Sequence, residues 1–151
     1  MRPSGRPMEC NMRIQEKGDI RPMTGEENKA LIRRAIMEAH SNGNLDVVDE
    51  VYSSDYLLHT PTPIPVEEVR GTEAIKRFIE TQRAAFPGLG FTIKDQIAEG
   101  NKVVTRYGAP KGVVHNPFGV IISRIDDDKI AEQWILRRVG SYNDAAISSL
   151  N

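Results

Sequence analysis

Cysteine is nearly absent: Cys10 is the only one in 151 residues, which excludes a disulfide framework and any zinc site built on thiolates. Nor is there an excess of charge of either sign. The 20 Lys and Arg stand against 21 Asp and Glu, a net charge of −1, which excludes a nucleic-acid binder that works by bulk electrostatics. Histidine is scarce as well: His40, His59 and His115 lie far apart with no ligand spacing, so no metal is expected. The acidic run Asp126, Asp127, Asp128 lacks the rest of a calcium loop and reads as a solvated turn. Gly88-Leu89-Gly90 lacks the context of a phosphate-cradling loop. No apolar run approaches the roughly 20 residues of a membrane span, and no apolar segment follows the N-terminal arginines as a secretory signal would require. With 39% hydrophobic and 27% charged residues, the length fits one core. The expectation is one soluble, cytoplasmic domain without a cofactor.

Residues 1–22 carry Pro3, Pro7 and Pro22, interleaved charges and little apolar periodicity, and read as a mobile N-terminal extension; the domain is placed at 23–151. Thr24 and Glu27 form a capping box, and Ile32, Ala35, Ile36 and Ala39 then recur on one helical face until Asn42-Gly43. Asn44 opens a short second helix with Leu45, Val48, Val51 and Tyr52 inward. A short extended piece at 55–59 leads into a loop whose prolines at 61, 63 and 65 forbid helix. A third helix spans 71–86 and stops at Pro87-Gly88. The rest alternates with period two. Strands are expected at 91–97, 102–107, 113–125 and 130–139, joined by turns at 99–102, 108–112 and 126–129, with Pro117 marking a break. Helices followed by an antiparallel meander is an α+β layout.

Apolar side chains fall on both faces of the later strands. Val120, Ile121 and Ile122 alternate sides; Ile130 and Leu136 share one side of the last strand, with Ala131, Ile135 and Val139 on the other. Helices cover one face of such a sheet, so the other calls for a cover too. A homodimer packed through the sheet is the expected arrangement.

Several stretches together resemble the SnoaL-like polyketide cyclase family of the nuclear-transport-factor-two-like superfamily. They are residues 28–34 (Asn-Lys-Ala-Leu-Ile-Arg-Arg), 42–50 (Asn-Gly-Asn-Leu-Asp-Val-Val-Asp-Glu), 54–59 (Ser-Asp-Tyr-Leu-Leu-His) and 71–76 (Gly-Thr-Glu-Ala-Ile-Lys). To these add 85–88 (Ala-Phe-Pro-Gly), 98–107 (Ala-Glu-Gly-Asn-Lys-Val-Val-Thr-Arg-Tyr) and 128–134 (Asp-Lys-Ile-Ala-Glu-Gln-Trp). The resemblance implies a cone-shaped α+β barrel, three N-terminal helices packed on a curved antiparallel sheet around an apolar cavity. It also implies members that are aldol-type cyclases, with isomerases and epoxide hydrolases among the wider relatives. Two family patterns are missing. The segment 119–122 is aliphatic where the cyclases carry an acid/base aspartate, and the short link from Tyr107 to Gly119 lacks their Gly-Thr-His segment, with His115 in a different local sequence. The hydrolase pattern fails at Gly108 and at Ile135 or Leu136, where aspartates would stand.

Acid/base work beside a carbonyl needs a carboxylate or imidazole with a tuned pKa in a dry pocket. Asp95 shares strand parity with Phe91, Ile93 and Ile97, so it should face the apolar side as base, unless a bulge or a pairing with Arg106 or Arg124 turns it out. His59 ends a strand at the expected cavity mouth and is the second catalytic candidate; His40 is expected to serve its helix C-terminus. Trp134 is read as a cavity wall, with Glu132 on the same face. Tyr107 and Tyr56 are candidate donors to a ligand oxygen, and Arg106 a partner for an anion or for Asp95. The function read from this set is binding of a small apolar molecule, with cyclisation, isomerisation or hydration as the reaction classes. The alternative is a non-catalytic ligand-binding or dimeric assembly module. No nucleic acid and no membrane are expected as partners.

Overall fold

The structure, a computed structural model, describes residues 21–60, 68–109 and 118–137. The N-terminal extension but for its last two residues, the proline loop at 61–65, His115 with Pro117, and the end of the last strand lie outside the described residues.

Helix α1, Gly25–Arg34, begins at the capping box. The Thr24 hydroxyl accepts from the Glu27 N–H at 3.1 Å, and the Glu27 carboxylate accepts from the Thr24 N–H at 2.7 Å. Arg21 donates twice to the same carboxylate; this, with the Thr24 N–H, holds Glu27 down to about 2. The apolar face is the expected one: Ile32, Ala35, Ile36 and Ala39 are all buried. Its geometry differs. Ala35–Ser41 is π-helical, with the Asn42 N–H reaching back five residues to the Met37 carbonyl at 3.1 Å. Contacts from outside the helix hold this wider end. Arg83 donates to the carbonyls of His40 and Ser41, and the Phe91 N–H donates to the Ser41 hydroxyl at 2.9 Å. Gly43, at φ 75°, leaves the space that the Arg83 guanidinium occupies.

Asn44 accepts from the Asp46 N–H at 3.2 Å, and α2 comes next as Asp46–Val51. Tyr52 is not its last inward residue, as the pattern suggested, but the first of strand β1, Tyr52–His59. After the two-residue strand β2, Val69–Arg70, comes α3, Gly71–Ala85, which buries Ile75 and Ile79. Each such side chain contributes about 1.5–3 kcal/mol through removal from water. The remaining strands are β3 (Thr92–Glu99), β4 (Lys102–Gly108), β5 (Phe118–Asp126) and β6 (Lys129–Arg137). The turn before β6 has Asp127 and Asp128 at φ 48° and 59°, the left-handed pair that suits hairpin twist.

The fold is mixed α+β with one six-stranded sheet in the order β2-β1-β6-β5-β4-β3. Strands β3 to β6 form the expected antiparallel meander. The pairing of β1 with β6 is parallel, which short-range patterns do not reveal, since the partners lie some 75 residues apart in the chain. The helices cover one face, here called inner, where Ile32, Val48 and Ile79 cluster with Tyr56, Val103 and Ile130. Two register shifts decide which side chains lie there. One falls between Ile93 and Asp95 in β3; the other is in β6, where Glu132 pairs with Arg124 but Ile130 with Ile125, leaving Ala131 as the extra residue. The second separates Ile130, fully buried in the core, from Leu136, which is 52% exposed on the outer face; simple alternation had put them together.

Candidate functional site

The side chains singled out in the sequence divide between the two faces of the sheet. Asp95 comes just after the β3 shift, which turns it to the outer face: it is exposed, while Ile93 before the shift and Gln96 and Ala98 after it point toward the helices. It accepts from Arg106 Nε at 3.0 Å and from a second guanidinium nitrogen of the same residue, and both side chains are more than half exposed. Arg106 holds the Asp95 carboxyl below its ordinary range. An ionised, solvated carboxylate is the opposite of the desolvated base expected at this position. The open groove beside it, about 450 Å³ between α1 and β3, is lined by charged Glu26, Lys29, Arg33 and Lys94 as well as Met37 and Ile93, so it is not dry.

His59, Glu132 and Trp134 meet on the outer face as well, because β1 pairs with β6 in a register that sets His59 opposite Trp134. The His59 and Trp134 rings stack with centroids 5.2 Å apart and planes 7° from parallel. His59 Nε2 lies 2.7 Å from Glu132 Oε2, and Arg124 Nε donates to the other carboxylate oxygen at 3.2 Å. The bond to His59, with Arg124 behind it, pulls the Glu132 carboxyl below its usual value. Trp134 therefore does not wall a space under the helices. Gln133, its neighbour, is the residue that points there.

The inner face carries the two tyrosines. Tyr56 is fully buried, and its hydroxyl donates to Gln133 Oε1 at 2.7 Å; Gln133 Nε2 donates in turn to the Ser123 hydroxyl at 2.8 Å. Burial pushes the Tyr56 phenol well above its ordinary pKa, so it stays a neutral donor. Tyr107 is half-buried, packs edge-to-face on Phe91 at 5.4 Å, and lies across Gly119, where a β-carbon would collide with its phenol. Exposure on this face appears only at one end of the strands. Val103, Ile125 and Ile130 are sealed, Thr105, Ser123 and Gln133 remain buried, and Tyr107, Ile121 and Ile135 are half-buried.

A second polar pair was not anticipated. His40 turns inward, with Nε2 2.9 Å from the Tyr52 hydroxyl, and burial lowers its pKa to about 4. Tyr52 packs on Tyr56 at 4.7 Å, and His40 lies edge-on to Phe91 at 6.4 Å. An inner lining of His40, Tyr52, Tyr56, Ser123 and Gln133 results: neutral, hydrogen-bonded, and set among aromatic and aliphatic groups. One signal for it was present. Gln133 shares strand parity with Ile135, which placed a polar amide on an apolar face. Among the described residues no cluster of His, Cys, Asp or Glu could hold a metal ion, and no helix is long and apolar enough to cross a membrane.

Residues 33–133 match the model of the SnoaL-like domain family. Solved structures share the fold. IdmH, a candidate polyketide cyclase from Streptomyces antibioticus, is 25% identical, with 82% of this chain and 97% of that one covered and a TM-score of 0.60. A candidate SnoaL-like polyketide cyclase from Jannaschia sp. CCS1 is 17% identical, over 85% and 94%, with a TM-score of 0.61. A candidate isomerase of the SnoaL-like family from Agrobacterium tumefaciens C58 is 17% identical, over 76% and 97%, with a TM-score of 0.59. No curated protein matches the chain significantly.

Proposed function

The chain belongs to the SnoaL-like domain family, and from that premise we propose that it binds a small, largely apolar, oxygen-bearing molecule between its helices and the inner face of its sheet. In this reading the sheet curves into a cone around the ligand, and the chemistry is of the cyclase or isomerase class, run by acid/base groups without a cofactor. The observation that carries the reading is the Tyr56–Gln133–Ser123 run, at the boundary between a sealed core and half-buried Tyr107, Ile121 and Ile135. Neutral hydrogen-bonding groups in an apolar lining are what fixes the orientation of a bound small molecule. Tyr107, half-buried, is the ligand-facing candidate, while the sealed Tyr56 orients the Gln133 amide behind it. Asp95, Arg106, His59, Glu132 and Trp134 lie on the other face and have no part in this binding. The planar ketone 2-acetylnaphthalene tests the reading. One molecule per chain should bind, with methyl NMR shifts at Ile121 and Ile135. Shifts at Ile97 and Leu136 instead, or none at all, would overturn it.

A second reading, assembly through the outer face, is favoured by the apolar groups there. Ile97 is 67% and Leu136 52% exposed, with half-buried Val104, Val120, Ile122 and Trp134 between them. Ion pairs flank this strip, Asp95 with Arg106 on one side and Glu132 with Arg124 on the other. An apolar centre with a charged rim suits a second copy of the chain, the homodimer that the strand pattern suggested. Sedimentation equilibrium should then give a dimer that Ile97→Glu converts to monomer; a monomer at every concentration would rule it out.

A further inference from the structure

We infer that His40 presents its Nδ1–H to an oxygen of the ligand held at the inner face, so that this ligand carries a carbonyl or enol oxygen. The inference rests on the binding reading above and deepens it. Three features of the ring lead to it. First, the π-helical segment Ala35–Ser41, held by Arg83 and Phe91, turns His40 inward, onto Tyr52 and Phe91. Second, protein crowds the ring enough to lower its pKa to about 4, and yet the residue is half-buried rather than sealed. Third, its two nitrogens differ. Nε2 is 2.9 Å from the Tyr52 hydroxyl, while Nδ1 has no protein partner among the described residues. Nor is Nδ1 closed off: the only buried side-chain atom without a partner among the described residues is Asn28 Oδ1. This nitrogen therefore keeps some accessible surface.

Hydrogen-bond satisfaction then chooses the tautomer. Tyr52 is 1% exposed, and its hydroxyl has no other partner among the described residues. If Nε2 carried the proton, the phenolic hydrogen would be stranded in the core, a costly arrangement. If the phenol donates to Nε2, both groups are satisfied and the proton sits on Nδ1. The imidazole is then neutral, and its Nδ1 is a donor, not a base. A neutral imidazole N–H is suited to polarising a carbonyl and to holding the oxygen of an enolate that forms from it. The ring asks nothing of the ligand's apolar body and selects its oxygen.

Affinities of 2-acetylnaphthalene and of its oxygen-free analogue 2-ethylnaphthalene, measured on wild type and on His40→Phe, test the inference. The ketone-to-hydrocarbon affinity ratio should fall about three- to tenfold in the variant, with hydrocarbon binding kept. An unchanged ratio, with both compounds still bound, would overturn the role of His40 and leave the binding reading standing. Binding of neither compound to wild type would remove the binding reading and this inference with it. Side-chain 15N NMR of the unliganded wild-type protein gives an independent result that no folding defect can blur. The proton is expected on Nδ1 of His40, and a proton on Nε2 would contradict the assignment.

Discussion

Glu132 and Gln133 are neighbours on β6, and they live in opposite settings. Gln133, on the inner face, is 4% exposed and spends its amide on two neutral hydroxyls, those of Tyr56 and Ser123. Glu132, on the outer face, shares its carboxylate between His59 and Arg124 at the edge of water. The same division holds across the sheet: Thr105 and Gln96 bond inside, Asp95 and Arg106 outside. Charged groups remain where solvent offsets their field, because an ion moved inward loses more hydration than one partner returns. Neutral amides and phenols can be satisfied one bond at a time and so can enter. The buried face of this sheet therefore carries neutral polar groups, and the charged ones gather on the other.

The largest expected difference between the faces concerns aliphatic side chains. Ile130 is fully buried among the helices and Ile97 is 67% exposed. Ile130→Ala should cost about 2–5 kcal/mol in urea denaturation, through lost burial and the cavity left behind. Ile97→Ala should stay within about 0.5 kcal/mol at low protein concentration. If its cost grows with concentration, a second copy covers the outer face, and the contrast becomes one between a permanent and an associative core.

Acid should find the inner face first. The folded pKa of His40, about 4, lies below the 6.5 of an unperturbed histidine. The unfolded chain then binds the extra proton first, so stability is complete above about pH 6.5 and declines as pH falls toward 4, by no more than about 3 kcal/mol. Glu27 also has a lowered pKa, but its contribution is present above the ordinary carboxylate value and is lost only below it. The two windows hardly overlap. Urea midpoints at pH 7, 5.5 and 4.5 should fall for wild type and change less for His40→Gln, whose amide oxygen can still accept from Tyr52. A wild-type midpoint that is flat over this range would mean that His40 is not enclosed.

Much of the fold was legible because it is written in local signals. The capping box at Thr24 and Glu27, the stop at Asn42-Gly43 and the turns at 99–102 and 126–129 each depend on a few adjacent residues, and each stands where it was read. Two kinds of feature were not legible. The parallel pairing of β1 with β6 joins distant segments, and it is this pairing that brings His59 onto Trp134. The register shifts in β3 and β6 have no mark in their sequences, and each reverses the facing of the residues beyond it: Asp95 goes out, and Ile130 parts from Leu136. The candidate site suffered most, since strand parity had carried the placement of Asp95 and Trp134. Tyr56, expected as a donor to a ligand oxygen, donates to Gln133, a partner that only the fold brings near. A regular α-helix gives no reason to turn His40 inward from its helix end; the π turn does.

The smallest effect belongs to the residue on which the sequence placed most weight. Had Asp95 been a buried base, Asp95→Asn would strand a partner in the core and lower the melting temperature by many degrees. In its actual place the carboxylate and Arg106 are both exposed, and the guanidinium that loses its partner simply meets water. The pair holds Asp95 ionised, so the only pH signature of its loss lies below the ordinary carboxylate range, far from the His40 window. Asp95→Asn should therefore leave the melting temperature unchanged at physiological salt, with a slight decrease emerging as salt is withdrawn and screening weakens. A large decrease at physiological salt would mean that the outer face is covered in solution. Asp95 would then belong to an interface, and the contrast between the faces would hold only for the separated chain.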